Sequence, residues 1–118
     1  MSKTPTALVL DDDEDRLKKF MAMLDDHSLT LAMTARGAIA SLEHNPRYDV
    51  AYLDHDLNHS GPTSGTGMDV AVHIARDMSE RRRPLKVYVH SHNTSMREKM
   101  VKMLRAAGVR AYSRPFRG

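Results

Sequence analysis

Five short apolar runs alternate with four helical patterns along this chain, and three of the runs lead straight into reactive side chains. Residues 7–10 run into Asp11-Asp12-Asp13, residues 49–53 into Asp54-His55-Asp56-Leu57, and residues 86–89 into His90-Ser91-His92-Asn93. Residues 29–33 and 109–112 read as two further short strands. Leu17, Phe20, Met21 and Leu24 recur at helical spacing and predict a helix over about 15–26. Ala35, Ala38, Ile39 and Leu42 predict a second, closed by Asn45-Pro46, and Val70, Ala71, Ile74, Ala75 and Met78 a third. Met96, Met100, Met103, Leu104 and Ala107 predict a fourth, opened by a Ser95/Glu98 capping box and stopped by Gly108. A β-α unit repeated four times with a closing strand implies a doubly wound parallel α/β sheet. Ligands of such sheets bind at the carboxyl ends of the strands, so three neighbouring strands would bring the three polar clusters together there.

At 118 residues the chain is read as one domain, 1–118. With no cysteine, disulfides, thiolate zinc sites and cysteine nucleophiles are excluded. The first ten residues carry one lysine and no long apolar stretch, so neither a signal peptide nor a membrane span is expected, and a cytoplasmic protein is the natural expectation. Residues 1–75 hold 6 Lys and Arg against 12 Asp and Glu, whereas residues 76–118 hold 12 against 3. Such a split fits a nucleic-acid or acidic partner surface. The competing reading is an acidic ligand site beside ordinary solvated helix. Aromatics are few and not interleaved with Arg81-Arg82-Arg83, so that run reads as a charged helix end before Pro84 and the second reading is preferred.

Asp11, Asp12 and Asp54 drawn together would be three like charges, which raise at least one pKa unless a cation compensates them. Mg²⁺ suits this task, because it takes a few carboxylates and keeps waters that a phosphate can replace; another divalent cation is an alternative. Asp56 lies two residues beyond Asp54 and joins the candidate metal set if the strand continues. The bland alternative for the acidic run is a solvated turn capping the first helix, the role assigned to Asp13 and Asp15. His55, His59, His90 and His92 cluster in and beside the same segments. A neutral imidazole there would bind a softer cation or act as general acid/base on a phosphoester. In an extended backbone, however, His90 and His92 share one face and Ser91 takes the other, while Asp54 and His55 also diverge. The groups converge only if the chain bends at the strand ends. His27, His44 and His73 read as surface residues, and the nine methionines mainly as fillers of the core. His90-x-His92 lacks any supporting zinc spacing, and His92-x-Thr94 lacks the second half of a two-histidine phosphoesterase.

With these residues in place the chain resembles the receiver domain of two-component response regulators, over almost its whole length. The resemblance implies a flavodoxin-like five-stranded sheet of order 2-1-3-4-5. It implies that Asp11 and Asp12 are the acidic pair, Asp54 the phosphoacceptor and Ser91 the hydroxyl, with Arg114-Pro115-Phe116 standing for Lys-Pro-Phe. Ser91 and Arg114 would then hold phosphoryl oxygens, with Asn93 nearby as a further phosphate contact. Arg114 departs from the family's lysine and cannot give the same compact ammonium contact. The segment 58–66 is longer than the family's usual loop, and the chain ends where the family's fifth helix would begin. The L-D-H-D-L and H-S-x-N sequences make it most similar to the atypical branch called cyclic-phosphate-processing receivers.

Two functions of different class follow. One is a stand-alone signalling receiver that binds Mg²⁺, accepts phosphate on Asp54 from a partner kinase or a phosphate-bearing ligand, and signals by protein contact. The other is a metal-dependent phosphoesterase acting on cyclic phosphates or nucleotides through Asp54, Asp56 and His55, His90 or His92, with the loop 58–66 closing over substrate. A third is a degenerate receiver that only binds other proteins. In receiver order the first and fifth helices share one sheet face, so that face is expected to carry an exposed apolar patch, covered by a homodimer.

Overall fold

The computed structural model describes residues 4–57 and 65–116. Five strands, β1 (Thr6–Leu10), β2 (Ser28–Ala32), β3 (Val50–Leu53), β4 (Lys86–Val89) and β5 (Ala111–Ser113), form one sheet of order β2-β1-β3-β4-β5. Every pairing is parallel, as the alternation requires. The helices are α1 (Glu14–Met23), α2 (Ala35–His44), α3 (Gly67–Val72) and α4 (Thr94–Ala106), and α3 runs on through a π-helical turn at His73–Asp77.

Pleating divides the sheet's side chains between two layers. Leu8 and Leu10 of β1, Ala51 and Leu53 of β3, and Val87 and Val89 of β4 pack with α2, α3 and α4 in the larger core. Ala7, Val9 and Val50 face the other way, under Leu17, Phe20 and Leu24. Among the described residues α1 is the one helix on that second face. Beyond it the register aligns Tyr52, Tyr88 and Tyr112 across three strands. Their ring centroids lie 5.3 and 5.5 Å apart, and Tyr112 is exposed. The open face expected from the sequence is this tyrosine ladder.

The helix starts follow local chemistry. Asp13 caps α1 by accepting from the Arg16 N–H, Thr34 caps α2, and Thr66 with Asp69 forms a capping box on α3. At α4 the expected Ser95/Glu98 box is absent. Asn93 is the cap, accepting from the Met96 N–H, so the helix starts at Thr94 and Ser95 already lies inside it. Gly108, at φ +90°, ends α4 in the left-handed region, as its position predicted.

Three other expectations change. The Arg81-Arg82-Arg83 run is not a solvated helix end. Arg83 donates to the carbonyls of Ile74, Ala75 and Ala107, and Arg82 to those of Leu42, Glu43 and Asn45. Those carbonyls sit at helix ends with no helical donor left to bond them, and guanidinium forks satisfy them. The methionines are less interior than their spacing suggested: Met78 and Met100 are buried, but Met21, Met23 and Met33 are exposed. His73 is not a surface residue, because its ring packs between Glu43 and Asp77 with little exposure. The segment 58–66, including His59, lies outside the described residues except for Gly65 and Thr66.

Candidate functional site

The carboxyl ends of β1, β3 and β4 meet as the topology demands, and each delivers its polar cluster. Asp11, Asp12, Asp54, His90 and Ser91 are all buried there. Ligand atoms of Asp11, Asp54 and His90 lie within 4.8 Å of one another. A pocket of about 250 Å³ opens beside them, and Asp12, Asp56, Ser91 and His92 also contribute to its walls. Because β4 stops at Val89, the chain bends and His90, Ser91 and His92 all reach the pocket, which strict strand alternation would forbid.

Asp11 is saturated. Its Oδ1 accepts from the Asp13 N–H at 2.9 Å and from Arg16 Nη2 at 2.9 Å. Its Oδ2 accepts from Arg16 Nε at 2.8 Å and from His90 Nε2 at 2.9 Å. A carboxylate offers about four acceptor sites, so these bonds occupy all of them. Burial opposes ionisation of Asp11, but the bonds from His90, Arg16 and Asp13 outweigh it and hold the carboxyl well below its ordinary range. The Arg16 guanidinium is in turn held firmly protonated by its bond to Asp11. His90 sits edge-on to Phe20 at 4.9 Å, which fixes the ring beneath the pocket.

Asp54 is placed differently. Its Oδ1 accepts from the His55 N–H at 2.8 Å, and its Oδ2 lies 3.4 Å from Arg16 Nη2. Burial raises its pKa, and the nearby Asp11 charge adds to the rise, against the lowering effects of His90, the His55 N–H and Arg16. The backbone under it is held from α3, because the Gly67 N–H donates to the His55 carbonyl at 3.0 Å.

That raised pKa has a thermodynamic sign. Between the unfolded and folded pKa values the folded state holds more protons at Asp54, so this group's contribution to stability declines as pH rises through that window. Asp11 acts oppositely: its contribution is present above the ordinary carboxylate range and is lost as pH falls. Asp54→Asn keeps the acceptor for the His55 N–H and removes the buried charge. Its melting midpoint should exceed that of wild type by a few degrees at pH 7, and the difference should vanish below the ordinary carboxylate range, where Asp54 is protonated in both states. Equal midpoints at pH 7 would contradict a raised pKa.

The remaining candidates divide. His55 Nδ1 pairs with Asp56 Oδ1 at 2.7 Å; Asp56 lines the pocket and His55 does not. Ser91 Oγ accepts from the Asn93 N–H, and the Asn93 side chain is used as the α4 cap. Arg114 lies away from the pocket, with its guanidinium 4.5 Å above the Tyr88 ring on the open sheet face. Sequence reading overlooked Arg16. The signal was its place in the first turn of α1, five residues after Asp11, from which a long side chain folds back over the strand end. A larger cavity, about 550 Å³, lies at the opposite end of the sheet, among Arg47, Asp49, Glu80, Lys86 and Arg110.

An all-parallel sheet of order 2-1-3-4-5, with paired acidic residues after β1, an aspartate after β3 and a hydroxyl after β4, defines a receiver domain. Residues 6–106 match the family model of the cyclic-phosphate processing receiver domain, and the chain belongs to that family. Solved structures agree on the fold. A response regulator from Burkholderia pseudomallei, with a phosphorylated aspartic acid, a calcium ion and citrate, superposes with a TM-score of 0.71 at 15% identity, over 97% of this chain and 61% of that one. The chain thus spans about 61% of that relative's length. A CheY-like receiver domain from Methanospirillum hungatei JF-1 gives a TM-score of 0.67 at 21% identity, over 98% and 85% of the two chains. Another from Methylobacillus flagellatus gives 0.68 at 16% identity, over 95% and 86%. No curated protein sequence matches this chain.

Proposed function

We propose that this domain is a signalling receiver whose Asp54 accepts a phosphoryl group with the help of a divalent cation. The observation that carries this is the buried Asp54 carboxylate at the wall of an open pocket, with Asp12 and Ser91 beside it. The donor set fits a cation: Asp12, Asp54 and Asp56 offer carboxylates to one pocket, with ligand atoms of the already bonded Asp11 and His90 within 4.8 Å of Asp54. Asp12 and Asp54 would hold Mg²⁺, with Asp56 reaching it from the rim; the imidazole of His90 would suit a borderline ion such as Zn²⁺ better. A bound divalent cation would neutralise charge on the phosphoryl oxygens. Asp54 Oδ would form the new bond to phosphorus while the donor's bridging P–O bond breaks and the donor oxygen leaves with the electron pair. Ser91 Oγ, already oriented by the Asn93 N–H, would donate to a phosphoryl oxygen. The B. pseudomallei relative, with its phosphorylated aspartic acid and calcium ion, supports the same chemistry on this fold.

Two copies meeting through the face of Tyr52, Tyr88 and Tyr112 complete this reading, since pairing would remove that apolar surface from water. One experiment addresses both statements. Native and denaturing mass spectrometry after incubation with acetyl phosphate and Mg²⁺ should show a dimer of the 13.3 kDa chain and one added phosphoryl group per chain. Asp54→Asn should gain none. Absence of an adduct from wild type would defeat phosphoacceptance and turn attention to hydrolysis of cyclic phosphates by Asp54, Asp56 and His90 or His92. Absence of both adduct and hydrolysis would leave a protein-interaction module.

A further inference from the structure

The acidic pocket already contains a cation. Arg16 grips Asp11 with Nε and Nη2 at 2.8 and 2.9 Å, approaches Asp54 at 3.4 Å and Asp13 at 3.5 Å, and forms part of the pocket wall. Its side chain is 29% exposed, so the guanidinium stands between the buried carboxylates and solvent. We propose that Arg16 is a resident counter-ion which a divalent cation must move off Asp54 to load this site. The proposal rests on reading the pocket as a divalent-cation site.

Two observations carry it. The acceptor sites of Asp11 are already filled by Arg16, His90 and the Asp13 N–H, so a metal gains Asp11 only by evicting a donor. The two Arg16 contacts are also unequal. The fork on Asp11 is short and bidentate, and the reach to Asp54 is long, so the guanidinium can release Asp54 while keeping Asp11. Arg16 thus neutralises the cluster in the metal-free protein, where adjacent buried carboxylates would otherwise repel. The cost of this arrangement is weak metal binding, from competition for oxygens and from repulsion between Arg16 and the arriving ion. Arg16 is a positioning and affinity-setting residue here, distinct from the groups that would ligate metal.

Calorimetric titration with Mn²⁺ alone tests this on four chains. Arg16→Met should bind Mn²⁺ about tenfold more tightly than wild type, a coupling of ordinary size between two sites. Arg16→Lys keeps the charge without the fork and should fall between them. Lys18→Met removes an equal charge from the exposed side of the same helix and should match wild type. Equal or weaker binding by folded Arg16→Met would overturn the proposal while leaving the metal site intact. No binding by any chain would overturn both. Should Arg16→Met fail to fold, wild type decides alone: the Arg16 Nε–Hε nuclear magnetic resonance should shift as Mg²⁺ saturates the protein. An unmoved signal at saturation would overturn the proposal.

Discussion

Gly67→Ala should lower the melting midpoint by on the order of 10 °C, the equivalent of about 3 kcal/mol in a domain of this size. A Cβ at Gly67 would overlap the carbonyl oxygen of Asp54 and lie 2.7 Å from its carbonyl carbon and 3.0 Å from the His55 Cα. All three atoms are backbone, so no side chain can rotate away, and the strand end and the helix start must separate. That separation also breaks the bond from the Gly67 N–H to the His55 carbonyl. Because this same backbone carries the Asp54 carboxylate, the variant should lose acetyl-phosphate labelling even at temperatures where it remains folded. The expected outcome is thus a coupled loss, read by circular dichroism melting and by intact mass. A midpoint within two or three degrees of wild type would show that α3 can start elsewhere at little cost.

Arg83→Met should cost about 2–4 kcal/mol, although a run of three surface arginines invites the expectation of no effect. Methionine keeps the aliphatic stem and removes the fork, isolating three bonds of 3.0, 2.9 and 2.8 Å to Ile74, Ala107 and Ala75. A hydrogen bond from a charged group is worth roughly 1.5–3 kcal/mol, less where water competes. The carbonyls are otherwise left without donors at the ends of the π-helical turn and α4, so Arg83 clamps two helices to the same turn. Arg82→Met removes contacts to α2 that are more exposed and should cost about 1 kcal/mol; Arg81→Met, at an exposed position, should stay within about 0.5 kcal/mol. Urea denaturation of the three variants should give the order Arg83, Arg82, Arg81. Three equal small effects would restore the reading of this segment as a solvated charge run.

These two cases mark where sequence reading stops. The parallel two-layer architecture was legible, because alternation of apolar runs and the connection rules of parallel sheets imply it; the strand order, and with it the meeting of Asp11, Asp54 and Ser91, followed from the resemblance to receiver domains. The convergence of His90 and His92 with Ser91 depended on where β4 ends, a backbone detail that side-chain periodicity does not carry. Ser95 with Glu98 satisfied a cap motif, yet Asn93 two residues earlier is an equally good cap and lies closer to the strand end, so it won. Long side chains were hardest to place. Arg16, Arg83 and Arg114 look alike in sequence; one folds into the acidic pocket, one clamps helix ends, and one lies on a tyrosine ring. Reach and flexibility allow each of these, and only the surrounding fold selects among them.

The two halves of the chain differ in sign, and the fold turns that difference into a direction in space. The acidic cluster occupies the carboxyl end of the sheet, while Arg47, Arg83, Lys86 and Arg110 outnumber Asp49 and Glu80 around the cavity at the amino end. Within a net charge of only +3, the carboxyl end of the sheet is thereby the more acidic and the amino end the more basic. A polyanion would therefore be drawn to the amino end, leaving the pocket beside Asp54 turned toward the solution.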